Sequence, residues 1–284
     1  MAKAKATVHG AISLVNAIAN QKGATLGISL KVESTVESTE GKGIIIQSEN
    51  QSLSSRLINK TVEKIVSKKD LDQNKITITL DSEIPTGYGL KSSSAISSAI
   101  ALACAKIFKP KLTDQQILLA GVDASIESKV SITGAYDDAC SCYYGGFNVT
   151  DNAKKKRIHF EKGPSNLTAV IFIPKNRKRG NLKKLPILSS VFEVAWELAR
   201  KTNYWEAMTI NGLATASILN SDSKIITDLI EKGALAASVS GNGPSIAAVV
   251  KKENEAAIKK VFSALEGSTI VSKISNEKAE VHEV

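Results

Sequence analysis

Cysteine is scarce, three residues in 284. That excludes a disulfide-stapled secreted scaffold. Histidine is equally rare (His9, His159 and His282), and none lies near Cys140 and Cys142 in sequence. A mixed Cys/His metal site therefore lacks partners. Two residues apart, those cysteines would share one side of a strand, and they read as packing residues. Long apolar runs are missing. The nearest, Ala95 to Phe108, is interrupted by Ser97, Ser98 and Lys106, which argues against a membrane span. No apolar run follows Lys3 and Lys5, so no secretory leader is predicted. A Gly-Lys-Ser/Thr phosphate loop is also lacking, as are repeats and low-complexity tracts. The expectation is a soluble, cytoplasmic protein.

The composition that remains is that of a folded chain, with 43% hydrophobic and 23% charged residues. The length allows one large domain or two modest ones. The net charge of +9 is local. Residues 151–184 hold eleven Lys/Arg against Asp151 and Glu161, so the other 250 residues balance. A wholly basic nucleic-acid binder is disfavoured. Lys154-Lys155-Lys156-Arg157 would serve an RNA-binding reading, but the basic stretch has only Phe160 and Phe172 for stacking. The composition shift near 151–165 predicts a boundary dividing 1–155 from 156–284.

Alternation at Ile28, Leu30 and Val32 and at Ile76, Ile78 and Leu80 predicts strands, as does the apolar run Ile44 to Ile46. Helical spacing covers Leu53 to Val66. A helix of small residues is predicted from Ser92 to Phe108, stopped by Pro110. Thr113 and Gln116 form a capping box for the next helix, to Glu127. Tyr143 to Val149 reads as a strand containing Gly145-Gly146, and Ala169 to Ile173 as a buried strand. Helices follow at Val191–Lys201, Tyr204–Leu219 and Ile225–Lys232. A glycine turn then separates two strands, and a helix and a strand close the chain. This irregular mixture predicts an α+β fold and not a doubly wound parallel sheet.

Three segments carry chemistry. In Pro85-Thr86-Gly87-Tyr88-Gly89-Leu90-Lys91-Ser92-Ser93-Ser94-Ala95, two glycines let the backbone approach an anion. The helix that follows begins at the serines, where free N–H groups and the helix dipole favour phosphate. The plain alternative is a turn with a serine cap. Ser240-Gly241-Asn242-Gly243-Pro244-Ser245 lies between apolar strands, as a hairpin turn or a second anion loop. Gly134-Ala135-Tyr136-Asp137-Asp138-Ala139 places adjacent carboxylates in an apolar stretch. They should point apart, so that at most one faces a given site.

In this order the segments resemble the GHMP kinases, the superfamily of galactokinase and of the homoserine and mevalonate kinases. The pattern Pro-x-x-x-Gly-Leu-x-Ser-Ser-x-Ala is met by Pro85 to Ala95, and Ser-Gly-x-Gly-Pro by Ser240 to Pro244. Lys5 to Gly10 resembles the first superfamily region. Asn16-Ala17-Ile18-Ala19, Lys22-Gly23, Ile132 to Ala139, Tyr143 to Gly146 and Thr150-Asp151-Asn152 resemble the archaeal-type shikimate kinase family more narrowly. The resemblance implies a two-domain GHMP kinase fold, with a ribosomal-protein-S5-like N-terminal domain and a ferredoxin-like C-terminal domain.

The same resemblance implies ATP and Mg²⁺ and phosphorylation of the 3-hydroxyl of shikimate, by a monomer or homodimer with no nucleic-acid or membrane partner. Homoserine kinase and mevalonate-type kinases are the alternatives. ATP phosphates are expected over residues 85–95, with Ser240, Gly241 and Gly243 from the second loop. Ser93 and Glu127 match metal ligands. Asp137 matches the base that takes the hydroxyl proton, and Lys5 the lysine paired with it. Asn16 and Asp138 are assigned to substrate. The chain departs from the superfamily at Gly10-Ala11-Ile12, where mevalonate kinases carry a Gly-Glu-His run. It departs again at Lys91, where a small residue is usual; a phosphate contact and a solvated side chain are both open. The basic stretch raises the further question of whether Lys175, Arg177 or Arg179 faces the cleft.

Overall fold

A computed structural model describes residues 2–48, 54–176 and 180–284. Arg177, Lys178 and Arg179, and the expected helix start at Leu53, lie outside the described residues. Strands β1 (Ala2–Val15) and β2 (Lys22–Glu40) form a long antiparallel pair. β3 (Gly43–Ser48) follows, then α1 (Ser55–Ile65), α2 (Lys68–Gln73) and β4 (Asn74–Ser82). Next come α3 (Ser92–Phe108), α4 (Asp114–Glu127), α5 (Tyr136–Tyr144), β5 (Phe147–Asp151) and β6 (Lys156–Glu161). The second half holds β7 (Leu167–Pro174), a 3₁₀ turn over Leu182–Leu188, α6 (Ser189–Arg200), α7 (Tyr204–Leu219) and α8 (Ser223–Glu231). It closes with β8 (Ala236–Val239), β9 (Ile246–Lys251), α9 (Glu255–Ser263), β10 (Gly267–Lys273) and β11 (Glu280–Glu283).

The first sheet runs β11-β1-β2-β4-β3, with β5 on the start of β2 and β6 on β5. The second runs β10-β7-β9-β8, with every neighbour antiparallel. In chain order within its half this is 4-1-3-2, the expected ferredoxin-like arrangement. The boundary drawn at 155/156 cuts between β5 and β6, which pair, so the first sheet continues to Glu161. β11 then returns to β1 from the far end of the chain. Charge composition changes in the β5–β6 turn because that turn is solvated, and the sheet runs through it.

α3 is built from Ala, Ser and Ile and is buried on nearly every side. A helix apolar all round belongs in a core, and its small side chains let β1, β2, α1 and α4 all close on it. The capping box holds as expected: Gln116 N–H donates to Thr113 Oγ1 (3.3 Å) and Thr113 N–H to Gln116 Oε1 (2.9 Å).

Two local expectations are corrected. Tyr143 and Tyr144 end α5 and do not begin a strand; Gly145 (φ +67) and Gly146 (φ +61) terminate the helix before β5 starts. Cys140 and Cys142 are thus helical, and both are buried. β1 carries no clear signal in sequence, since its inward residues at first are alanines, Ala4 and Ala6.

Candidate active site

A cavity of about 360 Å³ opens where the two halves meet. Its walls come from the end of β1 (Ser13, Asn16), the loop before α3 with that helix's first turn, the turn before α5 with Asp137 and Asp138, and the glycine turn between β8 and β9.

The loop before α3 reaches its shape through three left-handed residues, Gly87 (φ +81), Gly89 (φ +85) and Lys91 (φ +67). Lys91 is the residue before the helix, and no side chain caps it. The first N–H groups of α3 thus face the cavity with the dipole behind them. A left-handed non-glycine residue costs roughly 1–2 kcal/mol, so something must hold Lys91 there. Its Nζ donates to Ser13 Oγ (2.7 Å) and lies 2.9 Å from Asp138 Oδ1, with only 5% of the side chain exposed.

Of the expected nucleotide-binding residues, Thr86, Gly87, Gly89, Lys91, Ser92, Ser93 and Ser94 line the cavity. Leu90 and Ala95 face the core. Tyr88 borders a second cavity of about 300 Å³, together with Lys175. Pro85 is half-buried and is not among the lining residues.

The second glycine turn works mainly from behind. Ser240 Oγ donates to Gly89 O (2.9 Å) and Ser245 Oγ to Tyr88 O (2.5 Å). Gly241 N–H donates to Ser13 Oγ (2.9 Å). A Cβ on Gly89 would overlap the Ser240 carbonyl, so the two loops are fitted together. Gly241 and Asn242 reach the cavity wall, whereas Ser240 and Gly243 do not. Asn16 lines the cavity too, but its amide is engaged: Nδ2 donates to Gly241 O (2.8 Å) and Oδ1 accepts from Ile18 N–H (2.9 Å). It ties β1 to the glycine turn and leaves little for a substrate.

Gly134 (φ +75) and Ala135 (φ +52) swing the chain into α5, so that Asp137 and Asp138 occupy its first turn. Both border the same cavity, contrary to the expectation that only one would. Helical spacing turns them apart, Asp138 toward Lys91 and Asp137 inward, with the cavity between. Asn152 Nδ2 donates to Asp137 Oδ1 (2.7 Å), and Asn152 Oδ1 accepts from Asp137 N–H (3.1 Å). A Cβ on Gly23 would overlap the Asp137 carboxylate. Burial pushes the Asp137 carboxyl up to about 7, and the neighbouring Asp138 charge adds to the rise; Lys91 and Asn152 pull against it.

Two predicted residues are elsewhere. Lys5 lies on β1 and pairs with Glu33 at 2.9 Å, its side chain 41% exposed. It does not line the cavity, because β1 carries it toward the edge paired with β11. Glu127 ends α4, pairs with Lys64 and does not line the cavity. Ser13 and Asn152 have no site role in the sequence reading, and Gly23 enters it only through nearby amides that could meet a substrate carboxylate. Gly23 and Asn152 belong to strings that carry the family resemblance, but a glycine and an amide announce no chemistry by themselves. Ser13 had no signal at all.

The basic stretch disperses. Lys154 pairs with Asp151 and Lys155 with Asp123. Arg157 packs over Tyr144 and Phe160. None of these lines the cavity. No helix among the described residues is long and apolar enough to cross a membrane.

A glycine loop on a helix N-terminus, a second glycine turn locked beneath it and a buried carboxylate opposite are the parts that the resemblance to the GHMP kinases implies. The family models agree: "GHMP kinases N terminal domain" matches residues 56–146 and "GHMP kinases C terminal" matches 206–266. Shikimate kinase of Methanosarcina acetivorans is 37% identical over 281 residues, covering 96% of this chain and 95% of that one. Shikimate kinase of Methanobrevibacter smithii is 36% identical, covering 94% and 95%. The solved mevalonate kinase of Methanococcus jannaschii superposes with a TM-score of 0.77 at 16% identity, covering 96% and 98%, and shares the fold. The chain belongs to the GHMP kinase family, on the branch that holds the archaeal shikimate kinases.

Proposed function

We propose that this chain transfers the γ-phosphoryl group of ATP to the 3-hydroxyl of shikimate, giving shikimate 3-phosphate and ADP. The observation that carries the reading is the match to shikimate kinases across nearly the full length of both chains. The cavity supports it with an anion cradle on one wall and a buried carboxylate on the other.

Phosphoryl transfer asks a protein chiefly for alignment and charge neutralisation. The N–H groups and hydroxyls of Ser92, Ser93 and Ser94, with Gly87 and Gly89, suit the phosphates. Asp137 suits the acceptor hydroxyl. With its carboxyl lifted to about 7, it is matched to take a proton near neutral pH. The acceptor oxygen bonds to the γ-phosphorus as the bond to the bridging oxygen breaks. The electron pair leaves on ADP and the hydroxyl proton goes to Asp137. Ala17, Ile18, Ile132 and Leu182 give the cavity apolar surface on which a carbon ring can rest.

Mg²⁺ suits oxygen donors and few protein ligands. Among the described residues no group of three His, Cys, Asp or Glu gathers to hold a metal. The donor set that fits is the serine hydroxyls at the start of α3, where Ser93 would hold the ion together with phosphate oxygens and water. The ion would neutralise phosphate charge. Glu127, engaged with Lys64, is not part of that set. The reading places the enzyme in the cytoplasm, where ATP is held.

ADP release by the purified chain with Mg-ATP and shikimate, homoserine or mevalonate tests the reading. Turnover is expected with shikimate alone. A higher kcat/KM with homoserine or mevalonate overturns it.

A further inference from the structure

Charge balance in the cavity poses a problem. An ATP-dependent transfer brings several negative charges to a site that already holds Asp137 and Asp138. Lys5, the lysine expected to offset them, is on the far part of β1 with Glu33. Among the described residues lining the cavity, Lys91 is the one cation.

Its placement is specific. Lys91 stands at the junction of the glycine loop and α3, in the left-handed conformation (φ +67) that a glycine would adopt without strain. Its side chain is buried and runs back across the loop to Ser13 Oγ (2.7 Å) and Asp138 Oδ1 (2.9 Å). Gly241 leaves room for it, since a Cβ there would come within 2.8 Å of Nζ. Three separate parts of the chain thus hold one ammonium group between the helix N-terminus and the carboxylate pair.

We infer that Lys91 is the catalytic cation of this chain, its ammonium touching the γ-phosphoryl group as the group passes from ADP to the acceptor. The inference rests on the kinase reading above. Ser13 and Asp138 hold the ammonium in place before the nucleotide arrives. A lysine at this point recognises the third phosphate and not the first two, because Asp138, its partner, lies on the acceptor side beside Asp137. Negative charge spreads over the transferring group in the transition state, and a fixed, desolvated cation there is worth more than one in water.

The test uses the full chain and its Lys91→Met, Lys91→Arg and Lys91→Gly variants. Calorimetry gives the affinity for Mg-ADP and for a non-hydrolysable ATP analogue, and steady-state assays give kcat. Lys91→Met is expected to lower kcat at least ~100-fold. It should weaken the triphosphate analogue about tenfold and ADP less than about twofold. Lys91→Arg should recover part of the triphosphate preference. Lys91→Gly removes the backbone strain but leaves Asp138 without its buried partner, as Lys91→Met does, so it should melt no lower than the Met variant and be as inactive. Lys91→Met turning over within about threefold of the parent, or losing ADP and the triphosphate analogue equally, overturns the assignment. A parent chain that binds neither nucleotide refutes the kinase reading itself, and that outcome is distinct from an active parent whose Met variant is equally active.

Discussion

The two glycine loops, 85–95 and 240–245, look alike in sequence and do different work. Both use left-handed glycines, and both lie at the junction of the two halves. The first turns its backbone toward the cavity and continues into a helix whose N-terminus is uncapped. The second joins two strands of a hairpin and directs its serine hydroxyls at the carbonyls of the first. One faces the reaction and the other backs it. Glycine content records only that the backbone must turn or approach closely; what it approaches is decided by the partner across the fold.

The facing residues should show the largest effects. Asp137→Asn is expected to lower kcat about 10³-fold while ADP affinity is kept. The same variant should be the more stable protein at high pH. Asp137 has a raised carboxyl in the folded state (about 7), so its favourable contribution is complete below its unfolded value and is lost as pH rises through about 7. Melting at pH 8 should therefore rise by a few degrees in the variant, and the gain should fade toward pH 4. Scanning calorimetry across that range checks both the direction and the window.

Gly89→Ala joins the two loops in one experiment. Its Cβ has no room against the Ser240 carbonyl, and φ +85 is costly for alanine. A loss of about 100-fold in kcat/KM is expected, with a lowered melting temperature. In the unaltered enzyme, kcat/KM should rise about tenfold per pH unit below 7 and level off above it, following ionisation of Asp137. A flat profile from pH 5 to 8 would separate Asp137 from proton transfer.

Ser240→Ala isolates the backing role. It removes two hydrogen bonds, one donated to Gly89 O and one accepted from Ser13 N–H, worth about 1 kcal/mol each. A drop of roughly 4–8 °C in melting temperature is expected, with KM for ATP raised about threefold and kcat changed less than about twofold. A large fall in kcat with KM unchanged would move Ser240 to the facing side. Lys5→Ala and Glu127→Gln should have the smallest effects, under about twofold in kcat/KM, since each breaks only a partly exposed ion pair.

Much of this was legible beforehand where the signal is local. α3 begins at Ser92 and ends at Phe108 because a glycine loop, a run of small residues and Pro110 all act within a few residues. The Thr113–Gln116 box likewise fixes α4. The phosphate loop and Asp137 were recognisable because their whole strings match a family pattern. Legibility failed where the answer depends on pairing. Lys5 is matched through the likeness of Lys5 to Gly10 to the first superfamily region, but the register of β1 carries it to Glu33. Lys91 stands where a small residue is usual, with a phosphate contact and a solvated side chain both open in sequence, and only the fold brings Ser13 and Asp138 to its ammonium. Glu127 ends a helix as expected, and the rotation of that helix against α1 gives it to Lys64. β11 could not be assigned from four residues that pair with the opposite end of the chain.

The most direct measurement is the structure of the product. Purified protein, Mg-ATP and shikimate are incubated to completion, and the phosphorylated acid is read by phosphorus–proton correlation NMR. The expected result is a single product with phosphorus coupled to the proton on carbon 3, formed in step with ADP. ADP release that does not depend on shikimate, or phosphate found on another hydroxyl, would contradict the assignment.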